Sequence, residues 1–218
     1  MFDKIEILKT IFGYIPDTIL DIGAYHGTWT ESMMNIYPEC KYYLFEPIEY
    51  EELMTRGVMN PNLTIFNVVL NEKAEEVDWF QMRNTGDSMF CEQTRHFSNC
   101  EVFKRETIDL DSIMCNSIQD CSRIFIKIDC QGAEIPILKG AKAVLTKTDF
   151  VVLEMPLFGQ YNKGVGTFLE HIAFMDSIGF VPYDIVDNHY INGFNMQIDM
   201  IFIKKTHEFN ELVQQLLL

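Results

Sequence analysis

Two carboxylates and a lysine stand where the interior of a sheet would be expected to hold only apolar side chains. In "RIFIKIDCQGAEIPILKGA" (123–141), Ile124, Phe125, Ile126 and Ile128 form the short apolar run of a central parallel strand, and Lys127 and Asp129 interrupt it. Residues two apart on a strand face the same way, so Lys127 and Asp129 share a face. An unpaired charge there would be costly to bury. A later run, "FVVLEMP" (150–156), carries Glu154 near its end. Asp129 and Glu154, at the ends of neighbouring strands, allow three arrangements. They could hold a divalent cation such as Mg²⁺ or Mn²⁺ through oxygen ligands. One of them could take a proton as general base, with Lys127 fixing the geometry or carrying the proton. In the simplest case Lys127 and Asp129 only neutralise each other as an internal ion pair.

A second constellation lies in "LDIGAYHG" (20–27). Gly23, Ala24 and Gly27 suit a tight turn that lets backbone approach a ligand, and Asp21 precedes the turn. Glu46 closes the next strand at the spacing where an acid can grip two ribose hydroxyls. Asn67, in the third apolar run, completes the candidate cofactor set. The loop is one glycine short of the dinucleotide fingerprint, and Asp21 would repel a diphosphate. S-adenosylmethionine carries a sulfonium and an ammonium and no phosphate, so it suits an acidic loop better. The same glycines could serve the turn alone, and Glu46 could be a solvated strand end.

Weaker candidates surround these. Glu134 begins a helix, where a carboxylate is favoured by the helix dipole whatever its function. Ser88, in "NTGDSMF", could cover a bound ligand, and His189 and Tyr190, in "DNHYINGFN", could line an acceptor pocket. His26 reads as a partly exposed loop residue and His171 as structural.

These residues depend on the elements that carry them. Strands are expected at 18–25, 41–48, 63–70, 123–129 and 150–156, alternating with helical segments, with an added strand at 76–82 and two late antiparallel strands. That order predicts an α/β, doubly wound, mostly parallel sheet covered on both faces. Arg83 to about Arg105 reads as one long irregular loop. A helix is expected to end at Gly57, another to run unbroken through "IPILKGAKAVL", and a third to stop at Gly179.

With 218 residues and 48% hydrophobic content, residues 1–218 are expected to form one domain with a full core. The net charge of −15 argues against nucleic-acid binding, which draws its affinity from cations on phosphates. The six cysteines form no C-x-x-C pair and "MFDKIEILKTIF" does not read as a secretion signal, so reduced thiols and a cytoplasmic setting are expected. No apolar run approaches the roughly 20 residues of a membrane span.

The chain also resembles the FkbM-type methyltransferases. "LDIGAYHGTWT", "FEP", "ETIDLDSI", "FIKIDCQGAEIPILKGA" and "FVVLEMP" follow the family's order from about Thr18 to Pro156. The resemblance implies a Rossmann-like class I methyltransferase fold with a seven-stranded sheet and an antiparallel last strand. It also implies an S-adenosylmethionine-dependent O-methyltransferase acting on sugar hydroxyls of glycans or glycosylated metabolites, with Glu134 as a site candidate through the motif. Tyr25 stands where the family usually has Asn, and Gln131 where it usually has Glu. Two other readings fit the same residues: an RNA ribose 2′-O-methyltransferase, and a non-catalytic S-adenosylmethionine-binding or partner domain.

Overall fold

The computed structural model describes residues 1–97 and 99–217. Its strands are β1 (Thr18–Ile22), β2 (Lys41–Phe45), β3 (Leu63–Phe66), β4 (Val69–Leu70), β5 (Glu76–Gln81), β6 (Glu101–Ile108), β7 (Ile124–Ile128), β8 (Thr148–Pro156), β9 (Phe180–Ile191) and β10 (Phe194–Lys204). Its helices are α1 (Phe2–Thr10), α2 (Thr28–Ile36), α3 (Glu51–Met59), α4 (Leu110–Met114), α5 (Glu134–Lys139), α6 (Lys142–Thr146), α7 (Phe168–Ser177) and α8 (Glu208–Leu217). None of these helices is long and apolar enough to cross a membrane.

Seven strands form the main sheet in the order β3-β2-β1-β7-β8-β10-β9. The pairs from β3 to β8 are parallel, and β10 runs antiparallel to both β8 and β9. The order reverses direction between β1 and β7, which is the switch point where open α/β sheets bind ligands. Both strands are buried on both faces. Leu20, Ile22, Ile126 and Ile128 pack toward the core beneath α4 to α7, and Ile19 and Phe125 pack toward the one beneath α1 and α2. Alternation then puts Asp21 and Lys127 on the α2 face. The two are direct partners in the β1–β7 register.

Several elements depart from the sequence pattern. The third apolar run splits: β3 stays in the main sheet, while β4 joins a three-stranded sheet of order β4-β6-β5. The segment read as one long loop ends in β6, whose first six residues are exposed and therefore show no buried alternation. Gly57 lies inside α3, which runs on to Met59. The segment 134–146 breaks into α5 and α6 where Gly140 and Ala141 leave helical dihedrals, and at Gly140 a Cβ would lie 2.6 Å from the Asn71 carbonyl oxygen. α1 and α8 carry no signal that the pattern reading used.

α7 begins with a reciprocal cap: the Thr167 hydroxyl accepts from the Glu170 N–H, and the Glu170 carboxylate accepts from the Thr167 N–H. Thr167→Ala should lower stability by about 1 kcal/mol in urea denaturation. An unchanged midpoint would mean that packing against β8 and β9 alone sets this helix end.

Candidate active site

The β1–α2 loop passes so close to the end of β7 that only glycine fits. Gly23 has φ +80, and a Cβ there would lie 1.9 Å from the Asp129 carbonyl oxygen. Its N–H and that of Ala24 donate to the Phe45 carbonyl at 2.9 and 3.2 Å, tying the loop to the end of β2. Gly27 then N-caps α2. Beside this loop, Glu46 accepts the Tyr25 N–H at 2.9 Å and the Ile48 N–H at 3.0 Å. Burial pushes the Glu46 pKa up to about 7, against the effect of those two bonds.

These groups open onto a cleft at the switch point of the sheet. Gly23, Tyr25, Glu46 and Tyr50 line one side, and Val68, Leu70, Trp79, Met89 and Ile137 form an apolar wall. Asp129 and Gln131 lie at the β7 end. Among the described residues, three carboxylates (Glu46, Asp87 and Asp129) line the cleft and no Lys or Arg does.

Lys127 points away from the cleft. Its buried Nζ donates to Asp129 Oδ2 at 3.1 Å, lies 3.8 Å from Asp21 Oδ1, and sits 5.7 Å above the Trp29 ring. Burial would lower its pKa, but Asp129 and Asp21 outweigh that and raise it. Burial would likewise raise Asp129, yet the Lys127 charge and hydrogen bond hold that carboxyl below its ordinary value. Glu154 goes the other way: burial first, then the charges of Asp129 and Asp199, push it well above the carboxylate range. Gln131 joins the two acids through Nε2, 2.6 Å from Glu154 Oε2 and 3.4 Å from Asp129 Oδ1. The two acids are therefore driven apart, Asp129 toward its charged form and Glu154 toward its neutral one.

Not every expected residue lies on the cleft. Asp21 is fully buried behind it; Oδ2 accepts from the Thr30 hydroxyl at 2.6 Å, and burial raises its pKa. It braces Lys127 and α2 and does not line the cofactor cleft. Ala24 and Gly27 shape the loop from behind. Asn67 is exposed and donates to the Glu46 carbonyl at 3.1 Å, bordering a neighbouring polar hollow with Arg83 and Arg105. Ser88 is buried, and its hydroxyl donates to the Gln131 and Cys130 carbonyls at 3.0 and 3.3 Å, fastening the 84–90 segment to the loop after β7. Glu134 is also buried and accepts the Cys130 and Gly132 N–H groups, with His171 3.9 Å away. Both brace the loop after β7; neither reaches the cleft.

His189 and Tyr190 both lie exposed on β9, an edge strand of the main sheet. His189 Nε2 is 3.6 Å from Asp199 Oδ2, a contact that raises the His189 pKa against the effect of burial. Asp199 lies directly opposite Glu154 in the β8–β10 register. The sequence analysis passed over it, although it interrupts "MQIDMIFIKK" just as Asp129 interrupts its own strand.

The methyltransferase FkbM domain model matches residues 21–182, which spans the glycine loop, Glu46, the β7 motif and β8. The chain belongs to the FkbM methyltransferase family. It is 27% identical over 155 residues to the 2-O-methyltransferase NoeI of Sinorhizobium fredii, covering 64% of this chain and 63% of NoeI. The crystal structure of the methyltransferase FkbM from Methylobacillus flagellatus superposes with a TM-score of 0.55 at 14% identity, over 89% of this chain and 47% of that one. The 1,6-didemethyltoxoflavin-N1-methyltransferase of Burkholderia thailandensis, solved with its acceptor and S-adenosylhomocysteine, gives 0.52 at 10% identity, over 93% of this chain and 77% of that one. The fold is thus the class I methyltransferase fold that the motifs implied. This FkbM chain spans under two thirds of the length of NoeI and about half of the M. flagellatus protein.

Gly23→Ala in this FkbM chain should cost at least about 3 kcal/mol in chemical denaturation, since overlap with Asp129 and left-handed backbone strain add. A stable variant would show that the loop can withdraw from β7.

Proposed function

We propose that the chain is an S-adenosylmethionine-dependent O-methyltransferase whose acceptor is a sugar hydroxyl of a glycan or glycosylated metabolite. The observation that carries this reading is the lining of the cleft among the described residues: three carboxylates, no basic side chain, and an apolar wall beside a glycine loop. A phosphate-bearing cofactor would find no cation there, whereas a sulfonium and an ammonium find complementary charge. Gly23 supplies the close backbone approach, and Glu46 is placed to accept from two ribose hydroxyls. The apolar wall of Val68, Leu70, Trp79 and Met89 suits a purine ring.

S-adenosylmethionine supplies, when bound, a methyl group on an excellent leaving group. The protein's task is then alignment and removal of one proton. Asp129, a third exposed at the β7 end of the cleft and charged through its pairing with Lys127, accepts a hydrogen bond from the acceptor hydroxyl. That hydroxyl becomes strongly acidic as its oxygen bonds to carbon, so a carboxylate of low basicity is enough to take the proton. Lys127 acts by holding Asp129 in place. Transfer to oxygen is supported by the name 2-O-methyltransferase given to NoeI, and the sugar class by the motif resemblance and by a carboxylate-rich site that suits hydroxyl donors. The net charge of −15 favours such an acceptor over an RNA.

Calorimetric titration with S-adenosylhomocysteine should give micromolar affinity, lost at least about tenfold in Glu46→Ala. The ribose hydroxyls need the Glu46 carboxylate ionised, so a proton competes with them. Affinity should weaken as pH falls below about 7 and level off above it, and Glu46→Gln should flatten that profile. No binding of this product at any pH would overturn the cofactor assignment. Asp129→Asn should retain product binding and lower methyl transfer to a panel of glycosides by about 100-fold or more. Undiminished transfer would remove Asp129 from its role.

A further inference from the structure

Beyond Asp129 the sheet gathers more negative charge than its lysine can balance. Lys127 makes its ion pairs with Asp129 and Asp21, and among the described residues Glu154 and Asp199 make none with a Lys or Arg. These two carboxyl groups sit directly opposite each other on β8 and β10, where two charges would repel. Asp199 is 5% exposed, and among the described residues its carboxylate accepts no hydrogen bond within 3.5 Å; its ion-pair contact is His189 Nε2 at 3.6 Å. One ligand atom each from Glu154, Asp199 and His189 lies within 4.8 Å of the others, so three adjacent strands converge two carboxylates and an imidazole on one point.

We propose that Glu154, His189 and Asp199 form a divalent-cation site beside the acceptor position. Asp129 is not a ligand in this arrangement, because Lys127 already occupies and neutralises it. This replaces the pair Asp129 and Glu154 with a set that includes a nitrogen donor. Carboxylates suit Mg²⁺ and Mn²⁺ alike, but an imidazole shifts preference toward Mn²⁺ and away from Mg²⁺. Ligand atoms around such an ion stand about 3 Å apart, so the three side chains draw in by an ångström or two. His189, half-exposed on the outermost strand, has room for that movement. Gln131 places the site one side chain from the cleft, since its amide touches both Glu154 and Asp129.

The function of the ion rests on the methyl-transfer reading above: it holds a hydroxyl adjacent to the one that Asp129 receives. A polyhydroxylated acceptor would thereby be fixed at two points, which sets which hydroxyl is presented.

The test is titration of the metal-free chain with Mn²⁺, followed by electron paramagnetic resonance of the free ion, with S-adenosylhomocysteine binding measured separately on every variant. The expected result is one Mn²⁺ per chain at micromolar affinity, weakened at least tenfold in His189→Gln and in Asp199→Asn, with Mg²⁺ binding more weakly. Asp187→Asn removes an exposed carboxylate on β9 that lies outside the ligand set and should leave the affinity within twofold. Circular dichroism and retained product binding establish that each variant is folded. No Mn²⁺ binding up to millimolar concentration would overturn the site, as would equal losses in Asp187→Asn and Asp199→Asn, which reflect general negative charge alone. Failure of product binding with Mn²⁺ binding intact would count against the cofactor assignment and leave the metal site standing.

Discussion

The arrangement of this end of the sheet depends on one buried ammonium group. Lys127 Nζ lies between Asp129 and Asp21 on the two central strands, beneath the Trp29 ring of α2. Removing one partner of a buried ion cluster strands the others and costs more than the pair contributes when intact. The lysine thus fixes three elements together: β1 through Asp21, the end of β7 through Asp129, and α2 through Trp29. It also sets the electrostatics, since its charge holds Asp129 below the ordinary carboxyl pKa, while the charge of Asp129 helps to push the neighbouring Glu154 above it. The position of Lys127 fits an ion-pair partner that fixes the geometry of Asp129.

Around this cluster the braces and the working surface are separate residues. Asp21, Ser88 and Glu134 satisfy buried backbone and side-chain groups with two or more contacts each and expose almost nothing. Gly23, Glu46 and Asp129 keep free valence toward the cleft. Gln131 belongs to both groups. Where the family usually has Glu, its amide donates to two acids at once, a task that a third carboxylate could perform only by carrying a proton.

What the sequence disclosed follows from how strongly each feature violates a local rule. The central strands were legible because they are continuous apolar runs, and Asp129 and Glu154 because each breaks one. The late antiparallel strands were readable for the same reason. β6 was not, because its first six residues are exposed and show no hydrophobic period. The split of the third run into two sheets left no mark, since Asn67 and Val68 differ little in pattern from strand residues. Ser88 and Asn67 stood among the ligand candidates because polarity near a loop does not reveal whether a side chain turns inward to backbone or outward to a pocket, and Glu134 stood there only through the family motif. Asp199 was visible in principle: it breaks an apolar strand, but its meaning needed the register that sets it opposite Glu154.

The small sheet β4-β6-β5 bears on the timing of events as well as on shape. It carries Trp79 of the cleft wall, and Phe80 pairs with Ser88, whose hydroxyl holds the carbonyls of Cys130 and Gln131. A molecule pressing on that wall is therefore coupled through one serine to the residue that bridges Asp129 and Glu154. On the reading proposed above, the ligand of the cleft bears on the acceptor side through this path, and an order of binding in which it enters first and leaves last is the expected consequence.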